Sequence, residues 1–106
     1  MESDSFKVFV SLPMRGLSTE KIATRQQEIF SKFAKEGWEL LDTISPAPDA
    51  DPENDLWYLG RSVQLMGKAD VVIFAKDWRN ARGCIVEHLI TEAYGINCLY
   101  EDNGVK

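Results

Sequence analysis

Val71-Val72-Ile73-Phe74-Ala75 is the stretch that decides the fold, because it is an unbroken apolar run rich in β-branched residues. A run that is apolar on both faces of an extended chain is typical of a parallel strand covered by helices on both sides. A polar segment, Lys76 to Arg82, follows it. The stretch therefore predicts a short buried strand with a loop at its carboxyl end.

Three more strands are predicted from short apolar or β-branched runs bounded by turn residues. They are Lys7–Ser11, Trp38–Asp42 and Asn97–Tyr100. The segment from Ser45 to Asp55, rich in proline and acidic residues, is predicted to be a loop.

Three helices are predicted between these strands from apolar residues at helical spacing. The first begins after Ser18 and ends near Gly37, the second is capped by Asn54 or Asp55, and the third ends at Gly95. Their expected core-facing stripes are Ile22, Ile29, Phe30 and Phe33, then Leu56, Leu59, Val63 and Met66, then Ile85, Val86, Leu89, Ile90 and Ala93.

Strict alternation of strands and helices predicts a doubly wound α/β fold with a mainly parallel four-stranded sheet and three main helices. Such sheets bind ligands beyond the carboxyl ends of their strands, where the strand order reverses. In this chain those ends are Ser11–Gly16, Asp42–Ser45 and Lys76–Gly83. The fold thus selects a candidate region before any motif is considered.

Composition narrows the class of protein. The 106 residues fit one domain, 1–106, and the net charge of −5 argues against a binder of duplex nucleic acid. No signal peptide or membrane span is apparent, and with only two cysteines we expect a reduced, cytoplasmic protein. Cys84, Cys98 and His88 lack metal-ligand spacing, so neither a metal nor another cofactor is expected.

The loop after the first strand, Ser11-Leu12-Pro13-Met14-Arg15-Gly16, has features of an anion site. Gly16 permits close approach of the backbone, the following helix offers free N–H groups, and Arg15 adds a permanent positive charge. Together they are suited to a phosphate or a carboxylate. The alternative is a surface arginine beside a turn glycine, since the glycine spacing of the known phosphate loops is absent.

Glu87 is the candidate catalytic residue, because it lies in the first turns of the helix after the strand Val71–Ala75. A carboxylate there can act as a nucleophile or a base toward a ligand at the strand ends. Helical spacing places it on the flank of the predicted stripe, which also fits an exposed structural glutamate. Trp78, in the preceding polar loop, is expected either to stack on a ligand or to cover the edge of the core.

Several separated blocks together resemble the nucleoside 2-deoxyribosyltransferase-like superfamily, in particular its small phage and bacterial branch of unknown function. The blocks are Ser11-x-Pro13-Met14-Arg15-Gly16, Ala69–Phe74, Trp78-x-x-Ala81-Arg82-Gly83-Cys84-x-x-Glu87 and Ala93–Ile96. They span the chain from about Lys7 to Tyr100.

The resemblance implies a flavodoxin-like fold, a homodimer or higher homo-oligomer with shared sites, and attack on an N-glycosidic bond of a small-molecule nucleoside or nucleotide. It makes Glu87 the nucleophile. Met14-Arg15-Gly16 is similar to the loop that holds the 5-phosphate in related hydrolases of deoxynucleoside monophosphates. The residues expected to bind substrate are Ser11, Pro13, Met14, Arg15, Gly16, Asp77, Trp78, Arg82 and Gly83.

Two positions depart from the family pattern. The characterised enzymes carry carboxylates where this sequence has Ser62 and Ala81. Asp77 and Asp55 are the candidates to replace them as acid or orienting group. The departures leave open a second function, a nucleotide or nucleotide-sugar binding module without turnover, and a third, an interaction protein on the same scaffold.

Overall fold

The computed structural model describes residues 5–44 and 54–102, and within them strands and helices alternate as the sequence predicts. Most of the predicted loop, 45–53, lies outside the described residues, as do 1–4 and 103–106. The elements are β1 (Phe6–Ser11), α1 (Thr19–Phe33), β2 (Trp38–Leu40), α2 (Asp55–Met66), β3 (Val71–Phe74), a 3-10 turn (Trp78–Asn80), α3 (Arg82–Tyr94) and β4 (Cys98–Tyr100).

The four strands form one parallel sheet in the order β2-β1-β3-β4, which confirms the predicted doubly wound, flavodoxin-like α/β class. Val8 of β1 lies opposite Leu40 of β2 and Val71 of β3. From β1 the chain first moves outward to β2, then crosses back to build β3 and β4 on the other side. The strand order therefore reverses between β1 and β3, and their carboxyl ends flank the crevice in which such sheets bind ligands.

Alternating strand side chains divide the core into two layers. The layer under α1 contains Val8, Val10 and Ile73 packed with Ile29. The layer under α2 and α3 contains Phe9, Val72 and Phe74 packed with Met66 and Cys84. Burial of each large apolar side chain contributes about 1.5–3 kcal/mol, so the sheet is fixed from both faces.

The predicted helix signals largely hold. Ser18 caps α1 by accepting a hydrogen bond from Lys21 N, and Asn54 caps α2 by accepting from Leu56 N and Trp57 N. Gly95 ends α3 in the left-handed conformation, with φ at 69°.

The end of α1 was predicted near Gly37, and the prediction was wrong. The helix stops at Phe33 because Ala34 leaves the helical conformation, with ψ at 138°, and Gly37, with φ at 90°, belongs to the turn that leads into β2. In that turn its carbonyl accepts a hydrogen bond from Phe6 N, which fixes the start of β1.

The predicted stripes of α2 and α3 were also wrong in part, because several of their apolar residues face outward. Leu56 is 74% exposed and Leu89 is 57% exposed. On α3 the buried residues are Cys84, Glu87 and Thr91, spaced by three and four residues as one helix face requires. Glu87 thus lies in the middle of the buried face, whereas helical spacing of the apolar residues placed it on the flank.

Candidate functional site

The centre of the candidate site is a buried hydrogen bond between β1 and α3. Ser11, the last residue of β1, donates its hydroxyl to Oε1 of Glu87 over 2.6 Å. Ser11 is 1% exposed and Glu87 is 7% exposed. The residues are far apart in sequence, but the parallel sheet brings the end of β1 next to the first turns of α3. The site lies at the switch point that the topology selects.

The pKa of Glu87 is raised above the usual glutamate value, because burial disfavours its charged form. Hydrogen bonds from Ser11 and from Ser62, on α2, act in the opposite direction but do not cancel the effect of burial. Within residues 5–44 and 54–102, no lysine or arginine forms an ion pair with Glu87. A buried carboxyl held only by hydroxyl groups is costly to stability, and such groups cluster at functional sites.

Cys84, one helical turn before Glu87, is a neutral packing residue of this cluster. Its side chain is buried, and burial raises the pKa of its thiol to about 11, with a smaller contribution from the nearby Glu87 charge. Ser11 also hydrogen-bonds this thiol. A thiol in that state is not nucleophilic near neutral pH, so Cys84 packs the cluster without acting as a nucleophile.

Two arginines from different segments converge on one carboxylate at the same edge of the sheet. Arg15, in the loop after β1, and Arg82, the first residue of α3, each place Nη2 near Oδ2 of Asp55, at 3.2 and 3.3 Å. All three side chains are between 70 and 82% exposed. The group, which we call the Arg15–Asp55–Arg82 triad, joins the β1 loop to the starts of α2 and α3.

The other predicted loop residues leave open space near the triad. Gly16 adopts φ of 82° in a turn in which Leu17 N donates to the carbonyl of Met14. Pro13 is half-buried and Met14 is exposed. Beyond the helix's own backbone and the adjacent residues, no atom lies within 4 Å of where a Cβ would stand on Gly83, so there is open space beside the first turn of α3.

Asp77 and Trp78 are placed at the same sheet edge but are engaged elsewhere. Asp77 pairs with Arg25 over 3.6 Å. Trp78 is 8% exposed and stacks on His88 with ring centroids 4.2 Å apart, while Arg79 lies over its ring at 4.6 Å. This geometry favours packing at the core edge for Trp78 over stacking on a ligand.

Sequence reasoning missed a buried ionic cluster at the end of β4. Glu101 accepts two hydrogen bonds from Arg25, one from Lys32 and one from Lys76 N, at 2.6–3.1 Å. These bonds hold the pKa of Glu101 at about 2. The sequence did show that Glu101 directly follows a predicted strand, at the carboxyl edge of the sheet. It did not show that Arg25 and Lys32 of α1 would be its partners.

Comparison with known proteins adds no further constraint on the site: no family model, curated protein or solved structure matches this chain. Among the residues that the structure describes, no group of three histidine, cysteine or acidic side chains is arranged to hold a metal ion. In the same part of the chain, no helix combines the length and apolar character needed to cross a bilayer.

Proposed function

We propose that this chain is an N-glycosidic-bond enzyme that acts on 2-deoxynucleosides or their 5-phosphates, with Glu87 as nucleophile. The observation that carries the proposal is the buried Glu87 carboxyl at the switch point, which Ser11 holds and which has no lysine or arginine partner among the described residues. Cleavage of a glycosidic bond develops positive charge on the sugar ring, in an oxocarbenium-like transition state. An unpaired, desolvated carboxylate stabilises that charge more than it stabilises a neutral ground state.

The proposed reaction has two steps. The Glu87 carboxylate forms a bond to the anomeric carbon of the sugar while the carbon–nitrogen bond breaks, and the base leaves with the electron pair and takes up a proton from solvent. Water, or a second base, then attacks the same carbon and loses a proton to solvent, while the bond between that carbon and Glu87 breaks and releases the carboxylate. Ser11 donates to Oε1 of Glu87 and Ser62 gives the same carboxyl a second hydrogen bond, so the two hydroxyls orient the nucleophile.

The substrate would lie between the loop Ser11–Gly16 and the first turn of α3. Pro13, Met14 and Gly16 form the near wall, and Gly83 leaves room for the sugar. Under the proposal, Arg15 and Arg82, which meet at Asp55, would bind the 5-hydroxyl or 5-phosphate. Asp77 and Trp78 would contribute only after leaving their contacts with Arg25 and His88.

Base release tests the proposal directly. Purified protein is incubated with each common 2-deoxynucleoside and its 5-phosphate, and free base is quantified by chromatography. We expect release from at least one substrate and a loss of at least about 10³-fold in Glu87→Gln. Glu92→Gln is the matched control, because it removes an exposed carboxylate from the same helix. Absence of base release from every substrate would refute the enzyme proposal.

A binding module without turnover is the second candidate, and the surroundings of Glu87 favour it in one respect. Ser62 and Ala81 stand where the family's enzymes keep carboxylates, while Asp55 and Asp77 are paired with arginines. Within residues 5–44 and 54–102, neither Asp55 nor Asp77 contacts Glu87, so neither is placed to donate a proton to the leaving base. Under this alternative, calorimetry shows nucleotide binding without base release, and Arg15→Ala weakens phosphate-bearing ligands most.

The proposal includes a homo-oligomer in the cytoplasm. Leu56 and Val63 on α2, and Ile85 and Leu89 on α3, are exposed apolar side chains on the helix layer beside the site. Apolar surface of this kind is typical of subunit contacts. Both cysteines are free, which fits a reducing compartment. Light scattering of the purified protein tests the assembly, and a monomer at all concentrations would contradict it.

A further inference from the structure

We propose that Asp55 is a specificity-determining residue, an internal counter-ion that the anionic group of a phosphate monoester must displace from Arg15 and Arg82. The proposal rests on the proposed function for the location of the ligand. It adds a residue with its own role: Asp55 occupies the arginine pair in the free protein and sets which anions can enter.

The geometry of the triad supports displacement. Both guanidinium groups approach the same atom, Oδ2 of Asp55, so they are close enough to be bridged by one tetrahedral anion. The three side chains come from three separate segments, and among the described residues they form side-chain hydrogen bonds only with one another. Exposed pairs of this kind contribute little to stability, so exchanging Asp55 for a ligand costs little.

The charges of the Arg15–Asp55–Arg82 triad explain why a phosphate monoester would be favoured over a neutral nucleoside or a single carboxylate. Two guanidinium groups facing one carboxylate leave a single excess positive charge, which attracts anions to the mouth of the site. A phosphate monoester carries close to two negative charges and has three acceptor oxygens, so it can satisfy both arginines at once. A neutral nucleoside gains nothing from displacing Asp55. Asp55 therefore lowers the affinity for every anion, and a phosphate dianion competes with it better than a single carboxylate does.

Isothermal titration calorimetry with Asp55→Asn tests the proposal. The probes are a 2-deoxynucleoside 5-phosphate, the corresponding nucleoside and inorganic phosphate. We expect Asp55→Asn to bind both phosphate compounds roughly 2- to 30-fold more tightly, the range that corresponds to losing two exposed ion pairs. The nucleoside should bind the variant and the wild type alike. Circular dichroism establishes that each variant is folded.

Glu36→Gln is the matched control, because it makes the same change in net charge in the turn between α1 and β2, at the opposite edge of the sheet. Equal tightening in Glu36→Gln, equal tightening for the nucleoside, weaker phosphate binding in Asp55→Asn, or no phosphate binding by any form would each overturn the proposal. Tighter phosphate binding without base release would uphold the role of Asp55 while the enzyme proposal fails.

Discussion

Replacing Glu101 with glutamine is expected to lower the free energy of unfolding at pH 7 by about 3 kcal/mol. The side chain is 2% exposed and accepts hydrogen bonds from Arg25, Lys32 and Lys76 N. These contacts bring the pKa from 4.5 to about 2. One pKa unit corresponds to 1.36 kcal/mol, so this depression of the pKa means that the charged form of Glu101 stabilises the folded state by about 3 kcal/mol. Because glutamine has nearly the same size as glutamate, the loss of stability measures the removal of the charge and not the creation of a cavity.

The effect has a defined pH window. Because the folded pKa of Glu101 is depressed, its contribution is fully present above the ordinary value and is lost as the pH falls toward 2. The difference between wild type and Glu101→Gln should therefore shrink to about 1.5 kcal/mol at pH 3 and nearly vanish at pH 2.

Urea unfolding at pH 7, 5 and 3, followed by tryptophan fluorescence, measures this difference. Glu36→Gln serves as the control for removing an exposed carboxylate and should lie within about 0.5 kcal/mol of wild type. A difference below about 1 kcal/mol at pH 7 would refute the reasoning. A difference that is the same at pH 7 and pH 3 would show that packing, and not charge, is the cause.

Three further predictions concern the Glu87 site. Glu87→Gln should raise the melting temperature at pH 7, because burial raises the pKa of Glu87 and a buried carboxyl that is costly to ionise destabilises the fold at that pH; calorimetry showing a lower melting temperature would contradict this. Ser11→Ala removes a hydrogen bond that lowers the pKa of Glu87, so the acid limb of base release should move to higher pH, and an unmoved limb would exclude Ser11 as a positioning group. Because burial raises the pKa of its thiol to about 11, Cys84 should resist alkylation at pH 8 in the folded protein and react in urea, which mass spectrometry measures. Rapid labelling of the folded protein would show that the Cys84 thiol is not buried.

The fold was predictable because strong local signals agreed with one another. The apolar run of β3, the N-cap at Ser18 and the terminating Gly95 each depend on a few neighbouring residues. Together they fixed the order of elements and, through the switch-point rule, the edge at which Ser11 and Glu87 meet.

The orientation of α3 was not predictable, because it depends on tertiary contacts. Helical spacing favoured Ile85 and Leu89 as core residues, yet both are exposed, and Glu87 is buried instead. A helical-wheel prediction based on apolar residues assumes that the buried face of a helix contains only apolar side chains. Here Ser11 and Ser62 supply polar partners for a carboxyl, which no local pattern encodes. The convergence of Arg15 and Arg82 on Asp55 was hidden for the same reason.

The central position of β1 has a consequence for the synthesis of this protein. β1 is made before the other strands, but its second neighbour, β3, begins at Val71 and so emerges some sixty residues later. Until then the strand FKVFVS has one unpaired edge, and its two apolar faces are not yet fully covered by helices. Strands in that condition pair readily with other chains. Folding that depends on contacts so distant in sequence is also slow. We expect the nascent chain to need a chaperone or rapid capture by α1 before β3 leaves the ribosome.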